Sequence, residues 1–85
     1  STNSDVRVDM AISYYNTGDP ERAVAEMKEA LKISPNHVNA HYNLGVVLSS
    51  TGNREEAREY WVRFLSLQPT GEMAERVRSI MSEWQ

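Results

Sequence analysis

Apolar side chains return along this chain at helical spacing. Val6, Met10 and Tyr14 fall at i, i+4 and i+8, and Leu44 and Leu48 repeat that phase further on; such spacing keeps side chains on one face of an α-helix. Ala23, Met27, Ala30 and Leu31 mark another apolar face, as do Ala57, Trp61, Phe64 and Leu65. A last stripe joins Met73, Val77, Ile80, Met81 and Trp84, with Glu72, Glu75, Arg76, Arg78, Ser79, Ser82 and Glu83 on the opposite side. Punctuation falls between these runs. Gly18 and Gly52 suit the left-handed residue that ends a helix, and Asp19 and Asn53 suit the N-cap of the next. Pro20 sits at the first helical position, where a missing N–H costs nothing. Glu56, three residues after Asn53, completes a capping-box pattern. Pro35 and Pro69 stop helices by pushing the preceding residue out of the α region. The pattern predicts an all-α chain: two antiparallel helix pairs and a further amphipathic helix.

A shift of 34 residues lays the chain on itself. Thr17-Gly18 meets Thr51-Gly52, Glu21 meets Glu55, Ala23 meets Ala57, Leu31 meets Leu65 and Pro35 meets Pro69. These coincidences fall at turns, closing prolines and apolar phases, the places where a repeated helical unit needs them. Two units follow, residues 4–37 and 38–71, with the last helix over 71–84. Ala11 with Ala23, and Gly45 with Ala57, fall where each pair of helices should cross, and small side chains there let the axes approach closely.

A 34-residue helical hairpin carrying Leu44-Gly45, Gly52, Ala57, a bulky Trp61, Leu65 and Pro69 resembles the tetratricopeptide repeat (TPR) family, and residues 4–71 carry the likeness. The run Tyr60-Trp61, Phe64-Leu65, Leu67 and Pro69 is also similar to TPR segments of bacterial assembly factors. The resemblance implies a helical solenoid whose first helices line a concave groove for peptides or partner proteins. Arg7 and His41 stand where the family often has tryptophan, and Phe64 where it usually has alanine.

The resemblance places Val8, Ile12, Tyr15, Asn16, Asn39, Tyr42, Asn43 and Val46 in that groove: an apolar strip with an amide rim. The family's basic clamp for a terminal carboxylate is not matched, since only Asn43 agrees with it. An amphipathic helix or extended apolar peptide is the expected occupant, and a scaffold or assembly role the expected use. Self-association through the same surfaces is the alternative, because a two-repeat stack leaves an open end. The helix over 71–84 is expected to cap the C-terminal end of the stack. No such cap precedes residue 4, where further repeats are expected.

Composition narrows the chemistry. Nine basic and twelve acidic residues are interspersed, for a net charge of −3, which leaves no footprint for nucleic acid or for a membrane surface. With no cysteine, disulfides and thiolate metal sites are excluded. No apolar run has the length to cross a bilayer. The chain does not start with methionine and reads as a processed or excised form, so its compartment is left open. His37 and His41 lie four apart, but no carboxylate or thiol accompanies them in sequence, and a zinc site needs more ligands. The glycines form no phosphate loop, and no serine is flanked as in a nucleophile elbow. Neither enzyme activity nor a cofactor is expected.

Overall fold

Five α-helices follow one another in the computed structural model, which describes residues 2–84. They are α1 (Thr2–Asn16), α2 (Pro20–Ile33), α3 (Val38–Ser50), α4 (Arg54–Leu67) and α5 (Glu72–Ser82). Gly18 and Gly52 take φ of 91° and 87°. This lets the amides of Asp19 and Asn53 reach back to the carbonyls of Tyr14 and Leu48 at 2.8 Å, closing α1 and α3 in the same way. Asp19 then caps α2 by accepting from the Arg22 amide at 3.2 Å.

The second unit departs from its expected cap. Asn53 makes no side-chain cap bond; its amide donates to Thr51 Oγ1 at 3.1 Å. Glu56, the other half of the expected capping box, instead pairs with Lys28 of α2 at 2.8 Å. A cross-helix cation has outcompeted the local bond. The pairing also lifts the Lys28 pKa, chiefly through that hydrogen bond.

Close crossings follow from small residues. Ala11, Ala23 and Ala57 are wholly buried. A Cβ placed on Gly45 would stand inside the Trp61 indole, so the second hairpin closes over a bare stretch of α3 backbone. The indole reaches through that gap and donates from Nε1 to the Tyr42 carbonyl at 2.9 Å. Met27 of α2 and Leu44, Val47 and Leu48 of α3 share one cluster with Ala57 of α4. Beyond it, Trp61 and Phe64 of α4 pack with Ala74 and Val77 of α5. Trp84, just past α5, stacks on Trp61 with centroids 5.5 Å apart and planes at 10°.

The inward face of α1 is not the expected one. Val6 and Met10 are 50% and 42% exposed, while Ser4, Val8 and Ala11 are buried. Ser4 Oγ lies 2.9 Å from Ser34 Oγ, so a polar residue enters the core with a partner. Val8 packs with Ala30 of α2 and Ala40 of α3. Val6 and Met10 of the apolar line on α1 therefore face outward, while Tyr14 packs against the core cluster.

Candidate partner-binding face

Helices α1 and α3 lie side by side, and α5, packed on α4, stands across a recess from α3. Tyr15 of α1 donates its hydroxyl to Ser50 Oγ of α3 at 3.1 Å, and Arg76 of α5 donates to the Tyr42 hydroxyl of α3 at 3.2 Å. The face they share carries an apolar residue at the same place on each helix: Ile12, Val46 and Ile80, each 34 residues from the next. Ile12 is 36% exposed, and Val46 and Ile80 are half-buried. Between α3 and α5 the face sinks into a recess of about 230 Å³, with Val46, Trp61, Val77 and Ile80 as apolar walls and Arg76 at the rim.

The other groove residues expected from the sequence scatter around this line. Asn16 and Asn39 are exposed. Asn43 turns its amide back to the Asn39 carbonyl at 2.9 Å, which satisfies a helix carbonyl and leaves its oxygen outward. Tyr42 is half-buried, tilted against Phe64 at 5.3 Å between centroids. Val8 does not belong to the face; it is 3% exposed. Tyr42 occupies the equivalent site one repeat on, and the reason for the difference is size. Valine ends among Ala30 and Ala40, while the longer tyrosine meets the larger Phe64 and must project toward Arg76.

Val77, Ile80, Trp61 and Arg76 were not among the residues expected here. The repeat itself held the signal, since Arg76 and Ile80 lie 34 residues beyond Tyr42 and Val46. The hydrogen bond to Tyr42, helped by Glu72, holds the Arg76 pKa above its usual value. Arg76 thus sets a cation at the rim of an apolar recess.

Both histidines have structural partners. His37 caps α3, accepting the Ala40 amide at Nδ1 over 3.1 Å. That bond leaves the proton on Nε2, which donates to Asp5 Oδ1 at 2.6 Å. His41 is 6% exposed and donates from Nε2 to the Pro35 carbonyl at 2.9 Å. No group of three or more potential ligands gathers among the described residues. Replacing His37 with alanine should remove a cap and cost about 1 kcal/mol, read as a lower urea midpoint. Equimolar zinc should leave the melting temperature of the parent chain unchanged; a rise that His37→Ala abolishes would show a metal site instead. Among the described residues no helix is long and apolar enough to cross a membrane.

The class these features define is a helical-repeat protein, in which paired helices stack and one face of the stack is left open for other chains. The chain belongs to the tetratricopeptide repeat family: a TPR repeat model matches residues 12–52 and a tetratricopeptide repeat model residues 38–70. Among curated proteins it is similar to a photosystem I assembly protein of Acaryochloris marina, 29% identical in an alignment 80 residues long, which covers 78% of this chain and 48% of that one. It is also similar to a TPR repeat-containing protein of Rhizobium etli, 26% identical over 66 residues, covering 78% of this chain and 32% of that one. The chain thus spans half or less of the length of these relatives. Among solved structures, a tetratricopeptide repeat domain of Salinibacter ruber superposes with a TM-score of 0.79 at 16% identity, over 94% of this chain and 92% of that one. That likeness concerns the fold alone.

Proposed function

We propose that this chain is a non-catalytic interaction module that holds an apolar segment of a partner protein against the α1–α3–α5 face, in an assembly or scaffold role. The observation that carries the reading is the partly exposed line Ile12, Val46, Ile80, one residue per helix at a constant interval of 34. A segment lying across the three helices meets an apolar contact at each step, and the recess beside Arg76 takes a side chain. The amides of Asn16, Asn39 and Asn43 are placed to bond the segment's backbone at the rim, the usual division between apolar anchors and polar edge. The likeness to an assembly protein supports the same direction.

The test compares the parent with Ile12→Glu in affinity capture from the source cell, followed by titration of the captured partner. Ile12 is exposed enough that the change should leave unfolding within ~0.5 kcal/mol. Partner affinity should fall by roughly 2 kcal/mol if Ile12 is an anchor. Equal binding by both forms, with the fold intact, would move the site off this face. A concentration-dependent dimer that Ile12→Glu dissolves would assign the face to a second copy.

A further inference from the structure

The two repeats do not fill the same place alike. Arg54, Arg58 and Trp61 of α4 share one helix face by their spacing, and Trp84 lies on it. Its ring stacks on Trp61 with centroids 5.5 Å apart, and both guanidiniums stand 5.6 Å from it. A shift of 34 residues carries this face onto Pro20, Val24 and Met27 of α2, and carries Trp84 onto Ser50. Ser50 is too short to cover α2; its hydroxyl turns back to the Val47 carbonyl at 2.8 Å. Over Pro20 and Val24 there remains a cleft of about 530 Å³ between the turns of the two hairpins, with Leu48 and Thr51 on its far side. Its walls belong to consecutive repeats in mid-chain, which sets it apart from the faces at either end of the stack.

The charge around the place of the indole changes as well. Glu21 and Glu55 are equivalent, but Pro20 stands for Arg54, Val24 for Arg58 and Asp19 for Asn53. Each exchange makes the first site more negative. Asp19 and Glu21 are the charged residues that line the cleft, and both are exposed. Glu21 enters no ion pair among the described residues, and Asp19 gives Oδ1 to the Arg22 amide. The guanidinium of Arg22 is turned to the Tyr14 ring, 4.5 Å from its centroid. The cleft thus joins an apolar floor to a rim of two carboxylates.

We propose that this cleft binds an aromatic residue of a partner protein flanked by lysine or arginine. The ring lies on Pro20 and Val24 as Trp84 lies on α4, and the flanking cations meet Asp19 and Glu21. The site shares no lining residue with the recess of the α1–α3–α5 face. A second copy of the chain is a poor occupant. Its Trp84 is already stacked on Trp61 and follows Glu83, which would oppose the two carboxylates.

The probe is the capped tripeptide Lys-Trp-Lys, with Glu-Trp-Glu as its charge-reversed control. Each is titrated into the full 85-residue chain and followed by methyl NMR. Lys-Trp-Lys should shift the signals of Val24, Leu48 and Thr51 with a dissociation constant on the order of 1 mM. The signals of Ile12, Val62 and Ile80 should not move. Glu-Trp-Glu should bind at least about fivefold more weakly. Glu21→Lys should reverse that preference with an unchanged melting temperature. Asp19→Asn, which keeps a capping side chain, should weaken Lys-Trp-Lys alone. Three results would overturn the proposal. One is no shift at the cleft with about 10 mM Lys-Trp-Lys, or shifts at Ile12 and Ile80 in its place. Another is equal binding by the two peptides, which leaves the carboxylates no part in recognition. The third is movement of the Val24 and Leu48 signals with chain concentration alone, which assigns the cleft to a second copy.

Discussion

Replacing Gly45 with alanine should destabilise the chain by about 3 kcal/mol, the upper part of the range for overpacking a core. The added methyl would lie inside the Trp61 indole, and that ring has nowhere to go. Trp61 is 1% exposed; its Nε1 is bonded to the Tyr42 carbonyl, and Trp84 stacks on its face. Relief requires either the hairpin to open or the ring to leave its bond, and both lose burial. For a domain of this size the expected drop in melting temperature is roughly 15 °C. Combining Gly45→Ala with Trp61→Leu should cost less than the sum of the two single changes, because the smaller side chain makes room for the methyl. A Gly45→Ala chain that melts within a degree or two of the parent would mean that α3 and α4 are not held at this distance.

Gly45 also shows what was legible in the sequence. Its alignment with Ala11 marked a helix crossing, and turn glycines, prolines and the interval of 34 marked the hairpins, because all of these act through local backbone geometry. The burial of single faces was less legible. Val6, Met10 and Tyr14 make a regular stripe, yet periodicity records only that side chains share a face. Whether that face is covered depends on its neighbours: Tyr14 packs against the core cluster, whereas Val6 and Met10 stay exposed. Val8 was misplaced for a related reason. Its repeat equivalent Tyr42 does reach the open face, and only the volumes of Ala30 and Phe64 beneath the two residues separate their fates. Ile80, read with the inward stripe of α5, does pack against the Trp61 cluster, and it also lines the recess. The helix is too short for periodicity to divide its apolar residues between two neighbours. The Asn53–Glu56 capping pattern failed because Lys28, distant in sequence, offered Glu56 a charged partner.

The largest loss should come from removing residues 71–85. Without α5, Trp61 and Phe64 lose the cover of Ala74 and Val77, and Trp61 loses the Trp84 ring. Each aromatic side chain can bury on the order of 200 Å². If α5 covers about half of each, some 200 Å² returns to water, worth roughly 5 kcal/mol at ~25 cal/mol per Å². That is comparable to the whole stability expected of a small domain. The shortened chain should aggregate, or melt far below the parent, with the exposed aromatics binding a hydrophobic dye. Trp84→Ala isolates the last contact of the helix. It should remove about 3 kcal/mol and abolish the near-ultraviolet dichroism of the stacked indoles, while far-ultraviolet helicity stays close to that of the parent. Arg54 and Arg58, whose guanidiniums lie 5.6 Å from the Trp84 ring, would then lose their aromatic partner and turn to water. A truncated chain as soluble and as stable as the parent would show that α5 does not close the stack. The recess between α3 and α5 would then be a cleft between loosely joined parts rather than a wall of the binding face.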